Sequence, residues 1–120
     1  MALRIYISGK ISGVPNNNKE KFDAIEAKLI ERGYEVVNPL RIDPGIKSPE
    51  WIHHMKADIK EMMSCHLVAV LDDWQDSRGA LAEVNLAFDL SMSVVKADTL
   101  AMNGEFEHVK LVKKEVIFNV

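Results

Sequence analysis

Two carboxylates in helical stretches of this chain have the residue type and setting for bond-breaking chemistry. Glu83 closes the stretch DDWQDSRGALAE (Asp72 to Glu83), six residues after Ser77 and four after Gly79. Asp58 lies inside HHMKADIKEM. Nucleophilic attack on a sugar anomeric carbon needs an ionised, positioned carboxylate, and a second carboxyl must protonate the leaving group. Glu83 suits the first role, because it falls between Ala80 and Ala87 on the small-residue side of a helix whose N-terminus favours the charged form. Asp58 suits the second, flanking an apolar stripe of Met55, Ile59 and Met62 that brings it towards the rim of a sheet. A lone acid on a helix is more often a solvated surface residue, so only a constellation gives these two a function.

The partners of such a pair would lie in two loops. SGKISG, Ser8 to Gly13, carries glycines that let backbone N–H groups approach an anion, and a helix starting at Ser77 to Gly79 adds its positive end. A phosphate fits between Ser8, Gly9, Lys10 and Gly13 on one side and Ser77 and Gly79 on the other. The spacing is neither that of a P-loop nor GxGxxG, so a plain turn is an equal reading of SGKISG. Asp72 and Asp73 read first as turn and cap residues, with binding a metal or orienting a substrate as the functional alternative and Asp73 the candidate substrate residue. Trp74 serves equally as a stacking surface or as a packing anchor. His53 and His54 are adjacent rather than one turn apart and there is no HExxH, which argues against zinc. Met55, Met62 and Met63 read as core filler, Cys65 as a small buried apolar residue, and Trp51 as packing for the start of its helix.

The elements that must hold these residues alternate. LRIYIS predicts a strand stopping at Gly9; Asn17 and Glu20 form a capping box for a helix carrying Phe22, Ile25, Leu29 and Ile30 and ending at Gly33. YEVVNP is a second strand, and the proline-bearing LRIDPGIKSP after it has the composition of a lid. Pro49 suits the first turn of the next helix, which runs to Cys65 with Ile52, Met55, Ile59, Met62 and Met63 on its apolar side. HLVAVL reads as a central strand buried on both faces, GALAEVNLAFDL as a helix, and SVVKA as a further strand. HVKLVKKEVIFNV, near the end, reads as one or two more strands or as a helix start. The predicted architecture is α/β: a parallel sheet of four to five strands between helices, with ligands at the carboxyl ends of the strands.

The bulk properties bound the rest. At 120 residues the chain is one domain, residues 1–120. A net charge of −3 gives no reason to expect a nucleic-acid polymer or a membrane as partner, so small molecules or proteins are the expected ones. The lone Cys65 excludes an internal disulfide, and with no signal-peptide pattern or membrane span the expected location is the cytoplasm.

From roughly Ile5 to Val95, through YISGKISG, VVNP, WIHHMKADI and CHLVAVLDDWQDSRGALAE, the sequence resembles the nucleoside 2-deoxyribosyltransferase-like superfamily, above all its uncharacterised phage and bacterial branch. The superfamily includes the 2'-deoxynucleoside 5'-monophosphate N-glycosidases. The resemblance implies a flavodoxin-like fold, Glu83 as nucleophile on C1', Tyr6 beside it, and Asp58 as proton donor to the base. Ser77 stands where the monophosphate hydrolases carry serine and the transferases aspartate, which implies a nucleoside 5'-monophosphate substrate. Ser12 occupies the position of a phosphate-binding arginine, leaving Lys10 as the cation of the first loop, and Asn85 replaces a glycine beside the pocket. No metal or organic cofactor is implied, and a homodimer or higher homo-oligomer is. Base transfer between nucleosides and non-catalytic nucleotide sensing are the competing expectations.

Overall fold

The computed structural model describes residues 2–110. Its four strands, β1 (Arg4–Ser8), β2 (Glu35–Val37), β3 (Leu67–Val70) and β4 (Ser93–Lys96), form one all-parallel sheet in the order β2-β1-β3-β4. Helices α1 (Lys19–Glu31), α2 (Trp51–Met62), α3 (Arg78–Asp89) and α4 (Ala97–Asn103) cover its faces. The result is a flavodoxin-like three-layer sandwich. In that strand order the chain reverses direction of travel between β1 and β3, so the loops leaving these neighbours diverge and open a crevice at the carboxyl edge.

Strand alternation decides what each face receives. Ile5 and Ile7 of β1 point into one apolar layer with Phe22, Ile25 and Leu29 of α1 and Leu100 and Ala101 of α4. Tyr6 points the other way, into a second layer with Met62 of α2 and Ala80, Val84 and Ala87 of α3. All four residues of β3 are buried, as a strand covered on both faces requires. Each fully buried large apolar side chain of this kind contributes about 1.5–3 kcal/mol.

Several expected boundaries move. Asn17 does not cap α1. Asn16, Asn17 and Asn18 all adopt left-handed backbone, with φ of 54°, 54° and 63°, and the helix starts only at Lys19. Asparagine tolerates this conformation, and the Asn18 amide holds the turn by donating to the Lys10 carbonyl and to Asp73, both at 2.9 Å. At α2, Glu50 rather than Pro49 adjoins the first turn, and His53 Nδ1 accepts the Glu50 N–H at 2.9 Å. The buried face of α2 is Met55, Asp58 and Met62; Ile52 and Met63 are exposed. Cys65 is half-buried rather than a core residue. The expected lid begins as a clamped 3₁₀ turn, Pro39–Arg41, because Arg41 forks onto the buried Glu26 carboxylate at 2.6–2.9 Å. Helix α4 has no counterpart among the elements expected from sequence. At the start of the last stretch, His108 forms an antiparallel bridge with Val95, while residues 111–120, to which most of that reading applied, lie outside the described residues. Among the described residues no helix is long and apolar enough to cross a membrane.

Candidate active site

The carboxyl ends of β1 and β3 and the start of α3 surround a cavity of about 600 Å³, a size typical of small-molecule sites. Glu83 forms part of its wall. Helical spacing puts Glu83 on the buried face of α3 with Ala80, Val84 and Ala87, and the two alanines leave its carboxylate room against β1. On β1, the period of two turns both Tyr6 and Ser8 towards that carboxylate. The Tyr6 hydroxyl donates to Glu83 Oε2 at 2.5 Å and Ser8 Oγ donates to Oε1 at 2.8 Å. Each oxygen of Glu83 is therefore held by one hydroxyl, which fixes the plane of the carboxylate.

Asp58 reaches the same cavity from α2 and is 7% exposed. Its carboxyl makes no hydrogen bond to any described residue, although it faces the cavity. Burial pushes Asp58 up to about 7, and the negative charge of Glu83 adds to the rise. Burial also pushes Glu83 up to about 7, but here the Tyr6 and Ser8 hydroxyls act against it by stabilising the charged form. Whatever the α3 N-terminus contributes to the charged form, desolvation is the larger effect on Glu83. The two carboxyls differ in their partners: hydroxyls of Tyr6 and Ser8 donate to Glu83 and favour its charged form, whereas no donor of that kind acts on Asp58 among the described residues. Tyr6 is held far from ionisation by burial and by the acids around it.

The other expected residues divide. Gly9, Lys10, Ser77 and Gly79 line the cavity. Gly79 packs closely, since a Cβ there would stand 3.1 Å from Met55 Sδ, and at Gly9 the approach is closer still, a Cβ meeting Leu71 at 2.6 Å. Ser77 Oγ caps α3 by accepting the Ala80 N–H at 3.1 Å, which leaves its own proton free to donate. Ser8 is a correction: it is fully buried and holds Glu83, so it positions the acid instead of touching a ligand. Asp73 is another. It accepts the Lys10 N–H at 3.0 Å and the Asn18 amide, pinning the first loop and consuming one of the N–H groups expected to face a phosphate. Trp74 is 9% exposed and packs in the core layer with Val70 and Val84, so it is an anchor. Gly13, with φ of 79°, shapes the turn beyond the cavity, and Asn85 is exposed away from it.

Sequence reasoning missed Trp51, His54 and Arg78 as cavity residues. A signal for two of them was present: Trp51, His54, Met55 and Asp58 follow i, i+3, i+4, i+7, one helical face, displaced from the stripe read through Ile52 and Ile59. Trp51 does not pack into the core; it is 39% exposed and carries the Arg78 guanidinium 4.1 Å above its ring.

The sequence from residue 3 to residue 97 matches the family model DUF4406, described as a domain of unknown function. The chain belongs to this family. Comparison with curated proteins gives no match. The DUF4406 region takes in all four strands together with Tyr6, Ser8, Asp58 and Glu83, so the buried quartet and the sheet that builds it lie inside the family's own boundaries.

Proposed function

We propose that this DUF4406 protein is an N-glycosidase that cleaves the base from a 2'-deoxynucleoside 5'-monophosphate. The observation that carries the reading is the convergence of Tyr6, Ser8 and Glu83, with Asp58 in the same cavity. The resemblance to the nucleoside 2-deoxyribosyltransferase-like superfamily supplies the substrate class, and the quartet has the chemistry to act on it. Ionised Glu83 forms a bond to C1' as the C1'–N bond breaks, and protonated Asp58 gives its proton to the departing base. Water then attacks C1', returns a proton to Asp58 and releases Glu83. The products are free base and 2-deoxyribose 5-phosphate.

With both carboxyls titrating near 7, this acid–nucleophile pair is in its working protonation state around neutrality. Glu83 must be charged, so rate falls as pH drops below 7; Asp58 must be protonated, so it falls again as pH rises above 7. Lys10, Ser77 and Arg78 give the cavity wall a side suited to the 5'-phosphate.

The test is chromatographic detection of free base after incubation with each 2'-deoxynucleoside 5'-monophosphate, and separately with a deoxynucleoside plus a foreign base. Base release from the monophosphate, lost in Glu83→Gln, supports the proposal. A new nucleoside in the second mixture assigns base transfer instead, and binding with no free base in either assigns a non-catalytic module.

A further inference from the structure

The cavity wall contains a cation that the fold does not explain. Arg78 is exposed in the first turn of α3, where a positive charge meets the positive end of the helix and no acidic residue of that turn offsets it. Among the described residues no carboxylate pairs with its guanidinium; Asp76 lines the same cavity without forming an ion pair to it. Other guanidiniums are committed elsewhere: Arg41 to Glu26, Arg32 to the Ala101 and Met102 carbonyls, and Arg4 to Glu61 and Ser64. Arg78 rests instead on the face of Trp51, which orients the planar fork while leaving its N–H edge open to solvent and to the cavity.

Two more features bear on what that edge receives. Ser77, the preceding residue, keeps a hydroxyl proton available, and the Lys10 side chain lines the cavity without an ion-pair partner among the described residues. The acids Asp58 and Glu83 are buried, whereas Arg78 is at the exposed margin, so the cavity has a proton-transfer end and a cationic end. A ligand complementary to both carries its scissile bond inward and an anion outward. A phosphomonoester fits the planar fork, because two of its oxygens can accept parallel N–H bonds.

We propose that Arg78, oriented by Trp51, is the residue that makes this site specific for a phosphorylated ligand. The proposal rests on the nucleotide reading for the rest of the ligand but not on turnover. Calorimetry on the Glu83→Gln protein with deoxynucleosides, their 5'-monophosphates and 2-deoxyribose 5-phosphate tests it. Adding Arg78→Gln is expected to weaken the two phosphorylated ligands about ten- to a hundredfold and the nucleosides less than about twofold. Arg78→Lys should recover part of the loss, and Trp51→Leu should cause a smaller one of the same selectivity. Equal weakening of nucleoside and monophosphate would show a structural role and overturn the proposal, as would an unchanged preference or no binding of any phosphorylated probe. If 2-deoxyribose 5-phosphate binds through Arg78 while wild-type protein releases no base, the phosphate site stands and the glycosidase reading falls. If base is released but the preference for phosphate is indifferent to Arg78→Gln, the glycosidase reading stands and the phosphate site falls.

Discussion

Two pairs of acids lie near the same edge of the sheet and meet opposite fates. Asp72 and Asp73, just past β3, are tied down: Lys21 bonds Asp72 at 2.7 Å, and Asp73 receives the Lys10 N–H and the Asn18 amide. The lysine holds the Asp72 carboxyl below its usual range. Asp58 and Glu83 have no cation within bonding distance among the described residues; burial drives both up towards neutrality. Partnered acids at the rim build the loop, and acids buried in the cavity without a cation are raised to where they can change protonation state near neutrality. Charge alone distinguishes nothing here, because the pairs differ in what surrounds them.

That contrast breaks most visibly at Glu83. Glu83→Gln is expected to reduce base release by at least about a thousandfold, measured by chromatography, because no nucleophile remains. Asp58→Asn should cost about a hundredfold or more through loss of the acid. Stability responds in the opposite sense. A carboxyl whose folded pKa is raised stabilises the fold below its unfolded value of about 4.3, and loses that contribution as pH rises through about 7. Glu83→Gln should therefore raise stability by about 2 kcal/mol at pH 8 and much less at pH 4, read by thermal denaturation at the two pH values. Asp73→Ala should lower stability by about 1–2 kcal/mol at either pH, since it strands the Lys10 N–H and the Asn18 amide. The smallest effect belongs to Tyr6→Phe: about a tenfold loss of rate, with the acid limb of the pH profile moved upward because a hydroxyl that lowers the Glu83 pKa is gone.

Much of this was legible in sequence. The strand–helix alternation, the break after β1 and the small-residue side of α3 are local signals, and they placed Glu83 correctly against the sheet. What sequence could not resolve is set by tertiary partners. Asp73 has the type and position of a substrate ligand, but its loop partners, Lys10 and Asn18, claim it. Ser8 has the look of an anion-loop residue, yet the pleat of β1 carries it inward beside Tyr6. The face of α2 was misjudged because Ile52 and Ile59 are more apolar than Trp51 and Asp58, although the latter pair lines the cavity. Asn17 with Glu20 reads as a capping box, but Asn16, Asn17 and Asn18 all turn left-handed and delay the helix to Lys19.

The division of labour between the buried acids is tested most directly by the pH dependence of kcat/KM for base release, in wild-type protein and in Asp58→Asn. A bell centred near neutrality is expected for the wild type. In Asp58→Asn the alkaline limb disappears while the acid limb, set by ionisation of Glu83, persists at reduced rate. A bell that keeps both limbs without Asp58, or a wild-type protein that releases no base at any pH, would contradict that division of labour.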